Sequence, residues 1–130
     1  MENKLTVLYE DNQVIVVVKP QNVPTQADSS GDVDLLTMVK QYVKEKYDKP
    51  GEAFIGLVHR LDRPTGGVMV FARNSKSAAR LQEQMKSGLF EKKYLAVTVG
   101  VPRDRQGRLS QYLFKDAETN TVKVVPAAVE

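Results

Sequence analysis

Two apolar runs, residues 54–58 and 68–72, flank the stretch His59-Arg60-Leu61-Asp62-Arg63-Pro64-Thr65-Gly66-Gly67. The runs are typical of buried strands, and charged residues placed beside buried strands are usually paired or used in chemistry. Pro64 fixes one backbone angle, while Gly66 and Gly67 permit a positive φ or the close approach of another backbone. The stretch therefore predicts a rigid turn that presents Asp62 at the edge of a sheet.

Asp62 lies between two arginines in this turn. Contact with Arg60 and Arg63 would lower the pKa of Asp62 and keep its carboxylate ionised and available as a nucleophile. An exposed ion-pair loop without a chemical role is the alternative, and the residue types alone do not decide between the two. His59 and Asp62 could share a helical face as metal ligands. We expect no metal site, however, because the chain has one histidine and no cysteine.

The composition is that of one ordinary globular domain. The chain has 130 residues, of which 42% are hydrophobic and 27% charged, and this length is sufficient to bury a core. No membrane-length apolar run or signal peptide is recognisable, and the absence of cysteine fits a reducing compartment, so we expect no membrane association and a cytoplasmic location. The net charge of +3 is compatible with a polyanionic partner but also with a scattered solubilising surface.

Residue periodicity predicts the remaining elements. Strands over 5–9 and 14–18 form a hairpin, and the solid Val/Ile run of the second predicts a strand covered on both faces. Apolar spacing predicts a helix over 34–47, capped by Asp32 or Asp34, and a second helix over 74–88, beginning at Asn74 or Ser75. Further strands are predicted over 94–99, 109–114 and 121–125. The fold class is therefore α+β, with a mixed, mainly antiparallel sheet and two flanking helices.

Residues 56–72 resemble the signature of the RluA-type RNA pseudouridine synthases. They read Gly56-Leu57-Val58-His59-Arg60-Leu61-Asp62-Arg63-Pro64-Thr65-Gly66-Gly67-Val68-Met69-Val70-Phe71-Ala72. Two shorter stretches agree, Asp11 to Pro20 and Lys92-Lys93-Tyr94-Leu95-Ala96, so the similarity extends from about Val7 to about Val125. The resemblance implies a pseudouridine synthase catalytic domain over residues 1–130. It also implies that the protein isomerises uridines in ribosomal or transfer RNA, without a cofactor or a metal.

The resemblance further implies roles for individual residues. Asp62 would be the catalytic aspartate. Tyr94 would be the catalytic tyrosine, which stacks on a uracil that has been flipped out of the RNA and assists proton transfer. Arg60, Arg63 and Lys93 would contact RNA. The residues expected to shape the loop around the aspartate are His59, Thr65, Gly66 and Gly67.

The sequence also departs from the family pattern. Asn22 stands where the family has a glycine, although asparagine tolerates the left-handed conformation. A later Gly-Arg-Thr-His-Gln-Ile-Arg-like motif and a preceding S4-like RNA-binding domain have no counterpart. We therefore expect the N-terminal part of a truncated catalytic domain, with a non-catalytic RNA-binding fragment of the same fold as the alternative. A nucleoside or glycoside hydrolase is a weaker third interpretation, because no spacing nominates a second carboxylate. The oligomeric state is not specified by the sequence.

Overall fold

The computed structural model of the protein describes residues 4–48 and 50–128. The chain divides into two compact units, residues 1–93 and 94–130, and each is described by itself. The first unit contains β1 (Thr6–Glu10), β2 (Val14–Lys19), α1 (Leu35–Lys46), β3 (Gly56–Leu57), β4 (Gly67–Ala72) and α2 (Ser75–Lys86), and the second contains β5 (Tyr112–Asp116) and β6 (Thr121–Val125). None of the helices in the described residues is long and apolar enough to cross a membrane.

The first unit is built on a four-stranded sheet with the strand order β1-β2-β4-β3. All three strand pairs are antiparallel, and a register shift between Val7 and Tyr9 interrupts the β1–β2 pair. The predicted hairpin, the two helices and the mainly antiparallel α+β class are therefore confirmed. The strand predicted over residues 54–58 is shorter than expected, since only Gly56 and Leu57 pair with β4.

The hydrophobic core lies on one face of this sheet. Ile15 pairs with Phe71 and Val17 with Met69 in the β2–β4 ladder, and all four side chains are fully buried. Because successive side chains alternate between the two faces of a strand, the intervening valines of β2 face the other way and are only half-buried. The prediction that β2 is covered on both faces is thus confirmed for one face, whereas the other face is only partly covered. The core cluster is completed by buried side chains of α1 and of the segment before β3, namely Leu35, Val39, Val43, Ala53 and Ile55.

The two helices begin at side-chain caps. The carboxylate of Asp34, and not that of Asp32, accepts hydrogen bonds from the Thr37 amide at 3.0 Å and the Thr37 hydroxyl at 2.7 Å. The side chain of Asn74 likewise accepts from the Ser77 amide at 2.8 Å. These bonds satisfy amides that have no partner within the first helical turn.

The second unit contains one hairpin. β5 and β6 pair antiparallel from Tyr112 with Val125 to Asp116 with Thr121, so the strand predicted over 121–125 is confirmed and its partner begins three residues later than predicted. The strand predicted over residues 94–99 is wrong, because these residues are not in a strand and Leu95, Val97 and Val99 are fully exposed. Their alternation suits a strand, but a strand also needs a partner for its backbone, and neither sheet formed by the described residues includes them.

Candidate active site

Asp62 lies in the turn that leads into β4, at the end of the sheet where β2 stops. The turn is closed by a hydrogen bond of 2.9 Å from the Thr65 amide to the Asp62 carbonyl oxygen. A Cβ atom on Gly66 would lie 3.2 Å from the carbonyl oxygen of Lys19, so a side chain there would press against β2. Gly67 has a φ of +155°, which favours glycine. The turn presents the Asp62 side chain exposed to solvent.

Lys19 supports the turn from inside the molecule. Its side chain is completely buried, and its ammonium donates to the carbonyl oxygens of Pro20 at 3.0 Å, Val23 at 2.5 Å and Arg63 at 3.0 Å. An ammonium has three donors, so each one has a partner. Burial lowers the pKa of Lys19, the charge of Arg63 acts in the same direction, and the carboxylate of Asp62 opposes both. The ammonium thus joins the end of β2 to the residue that follows Asp62.

Lys19 is absent from the site residues predicted from the sequence, in which the second strand ends at residue 18. A signal was nevertheless present. Lys19 follows Ile15 and Val17 at intervals of two residues, so the strand period places it on the buried face. A lysine on a buried face requires partners for its charge, which identifies it as a structural or functional centre.

Arg63 makes different contacts from those expected. Its guanidinium lies 3.5 Å from Asp28 Oδ2 and 3.3 Å from Ser30 Oγ, and its other terminal nitrogen contacts Asp32. The predicted pairing of Asp62 with Arg60 and Arg63 is wrong, because within residues 4–48 and 50–128 no cation lies within ion-pair distance of the Asp62 carboxylate. Arg63 thus pairs with the carboxylates of Asp28 and Asp32 instead of that of Asp62, and both lie in a loop more than thirty residues earlier in the sequence. Arg60 is exposed beside Asp62.

His59 extends the β3–β4 pairing with its side chain. β3 ends at Leu57, and the amide of Val70 in β4 donates to His59 Nε2 at 3.0 Å. Nε2 is therefore unprotonated, and the imidazole is neutral. Burial lowers the pKa of His59 and the charge of Lys92 adds to this effect. The His59 ring also packs against that of Phe90, with 5.6 Å between the ring centroids.

The remaining expected contact residues lie at the boundary between the two units. Lys93 ends the first unit, and its ammonium is 3.9 Å from a carboxylate oxygen of Glu91, with both side chains exposed. Tyr94 begins the second unit and is 64% exposed. The hydrogen bonds described above around Asp62 are all made within the first unit. No group of three or more residues that could hold a metal occurs among the described residues.

This architecture and sequence are shared with known proteins. A family profile described as RNA pseudouridylate synthase matches residues 13–128, and so the chain belongs to the RNA pseudouridylate synthase family. The structure of human RNA pseudouridylate synthase domain containing 4 is similar, with a TM-score of 0.53 and 27% sequence identity. That similarity covers 63% of this chain and 30% of the human one.

Curated bacterial relatives agree with the family assignment. A ribosomal large subunit pseudouridine synthase C of Rickettsia bellii is 34% identical over 108 residues, which are 83% of this chain and 34% of the relative. The protein of that name in Buchnera aphidicola subsp. Acyrthosiphon pisum is 29% identical over 119 residues, or 92% of this chain and 36% of the relative. The chain thus spans about a third of the length of these relatives.

Proposed function

We propose that this chain carries the catalytic aspartate of an RNA pseudouridine synthase, and that Asp62 is that residue. The observation that supports this most strongly is that the residues matched by the family profile include the turn that carries Asp62. The match spans Asp62, and at that position the fold presents an exposed carboxylate on a turn fixed by a buried lysine. An exposed carboxylate on a rigid support suits a reaction that requires close positioning of the substrate.

The chemistry needs only a few protein groups. Pseudouridine forms when the bond between the sugar and the uracil nitrogen breaks and the base is reattached through carbon, without net oxidation or reduction. Asp62 would either attack the sugar or remove a proton after the base has left. In both cases the uridine must first be flipped out of the folded RNA, and Asp62 must reach it. Neither step requires a cofactor or a metal.

RNA is the proposed partner of the surface around Asp62. Arg60 is exposed two residues before Asp62 and could bind a phosphate or a base of the extruded nucleotide. Lys93 would add charge to this contact, and Tyr94 would stack on the uracil. The names of the bacterial relatives favour ribosomal RNA as the substrate, and transfer RNA is the second class to test.

The test uses the chain with RNA transcripts labelled with tritium at C5 of uracil, because formation of the new carbon bond releases that tritium. We expect release with the unmodified chain and no detectable release with Asp62→Asn. Asp104→Asn is the matched control, since Asp104 is exposed in a loop of the second unit, and it should leave the release rate unchanged. Equal release by Asp62→Asn would contradict the assignment. RNA binding without release by any variant would favour a non-catalytic RNA-binding role.

A further inference from the structure

Thr25 holds the residue that precedes Asp62. Its hydroxyl donates to the Leu61 carbonyl oxygen at 2.7 Å and accepts from the Leu61 amide at 3.3 Å. One side-chain oxygen therefore satisfies both main-chain polar groups of Leu61. Thr25 is only 5% exposed, so water cannot easily replace the hydroxyl, and its loss would leave both groups without a partner.

The position of Thr25 is set by the hydrophobic core. The carbonyl oxygens of Pro24 and Thr25 accept hydrogen bonds from the amides of Leu35 and Leu36, each at 2.9 Å. These amides belong to the first turn of α1, and the Leu35 side chain is completely buried in the core. A continuous series of hydrogen bonds thus leads from the core, through the start of α1 and Thr25, to the main chain beside Asp62.

The same loop also holds the residue that follows Asp62. The amide of Asn22 donates to the Arg63 carbonyl oxygen at 2.7 Å, and the Arg63 guanidinium pairs with Asp28 and Asp32. Residues 22–32, which we call the strap, therefore fix both neighbours of Asp62. Among these contacts only the one made by Thr25 is buried and comes from a side chain, which makes it the contact that a substitution can remove most cleanly.

We propose that Thr25 is a positioning residue for Asp62, acting through the main chain of Leu61. The inference rests on the proposed function of Asp62. A carboxylate that moves by a fraction of an ångström still faces the bound RNA but reacts more slowly, because catalysis depends on close alignment of the reacting atoms. Loss of the Thr25 hydroxyl should therefore lower kcat and leave KM nearly unchanged.

The test compares Thr25→Val, which keeps the shape and removes the hydroxyl, with Thr25→Ser, which keeps the hydroxyl. We expect Thr25→Val to lower kcat for tritium release by about tenfold or more, with KM within about twofold of the unmodified chain. Thr25→Ser should retain kcat within about threefold, since its hydroxyl can make both bonds. Thr6→Val is the control, because Thr6 is exposed on β1, and it should not change either constant. A kcat for Thr25→Val equal to that of the unmodified chain would overturn the inference.

Amide hydrogen exchange tests the same contact without RNA. In the unmodified chain the Leu61 amide should be protected although it lies outside a strand, and Thr25→Val should accelerate its exchange by about tenfold while Val17 in β2 stays protected. An unprotected Leu61 amide in the unmodified chain would overturn the inference, and this measurement needs no variant to fold. Absence of tritium release by the unmodified chain would instead contradict the proposed function, so the two failures are distinguishable.

Discussion

Replacing Lys19 by methionine removes the ammonium and keeps an apolar side chain of similar length. The ammonium donates to three carbonyl oxygens, those of Pro20, Val23 and Arg63. Pro20 is exposed, so a water molecule can donate to its carbonyl oxygen in place of the ammonium. The carbonyl of Arg63 keeps the hydrogen bond from the Asn22 amide. The Val23 carbonyl loses its donor, and the link between β2 and the turn is broken.

The expected loss of stability follows from these contacts. Hydrogen bonds to charged groups contribute about 1.5–3 kcal/mol each, and about two of the three are not replaced. Removing a fully buried ammonium also relieves its desolvation, which offsets part of the loss. We therefore expect Lys19→Met to lower the free energy of unfolding by about 2–4 kcal/mol.

Urea unfolding followed by far-ultraviolet circular dichroism measures this change. Both helices lie in the first unit, so the helical signal reports its unfolding. Lys44→Met is the control, because Lys44 is exposed on α1, and it should change the free energy of unfolding by no more than about 0.5 kcal/mol. A value for Lys19→Met within that same margin would refute the argument that the buried ammonium supports the turn.

Two further predictions concern the packing of α2 and the protonation of His59. A Cβ atom on Gly56 would lie 3.2 Å from that of Ala78 in α2, so Gly56→Ala should destabilise the first unit by about 1–3 kcal/mol in urea unfolding. Gly107→Ala, which meets no atom within 4 Å, should be neutral, and equal effects would contradict the packing argument. The pKa of His59 is lowered in the folded state, so the unfolded chain takes up a proton first as the pH falls below about 6.5. The free energy of unfolding should then decrease as the pH falls from 6.5 towards the pKa of His59 in the folded state. His59→Gln should remove this decrease, since His59 is the sole histidine. An identical pH profile for the variant would show that the imidazole is not responsible.

Local patterns were sufficient to predict most of the regular structure. Helix α1 follows from the three-and-four spacing of its apolar residues. Its N-cap, Asp34, is one of the two residues that the sequence predicted for this position. The hairpin of β1 and β2 follows from two apolar runs around a polar segment. These features depend on side chains that are near one another in the sequence.

The parts that escaped prediction depend on distant residues. The alternation of Leu95, Val97 and Val99 indicates a strand, but whether a strand forms depends on a partner that no local pattern specifies. The pairing of Arg63 with Asp28 and Asp32, instead of with Asp62, likewise depends on how the strap crosses the turn. The sequence predicted a turn that presents Asp62, but not which groups hold that turn.

The long sequence separation of the contacts around the turn affects how the site forms during folding. Lys19 and Arg63 are 44 residues apart in the chain, and Thr25 and Leu61 are 36 apart. Closing loops of this length costs conformational entropy, so contacts of this kind are disfavoured until other parts of the unit bring their partners together. A partly folded chain therefore has Asp62 but not the arrangement that holds it in place. Loss of the fold of the first unit therefore also releases the turn that carries Asp62.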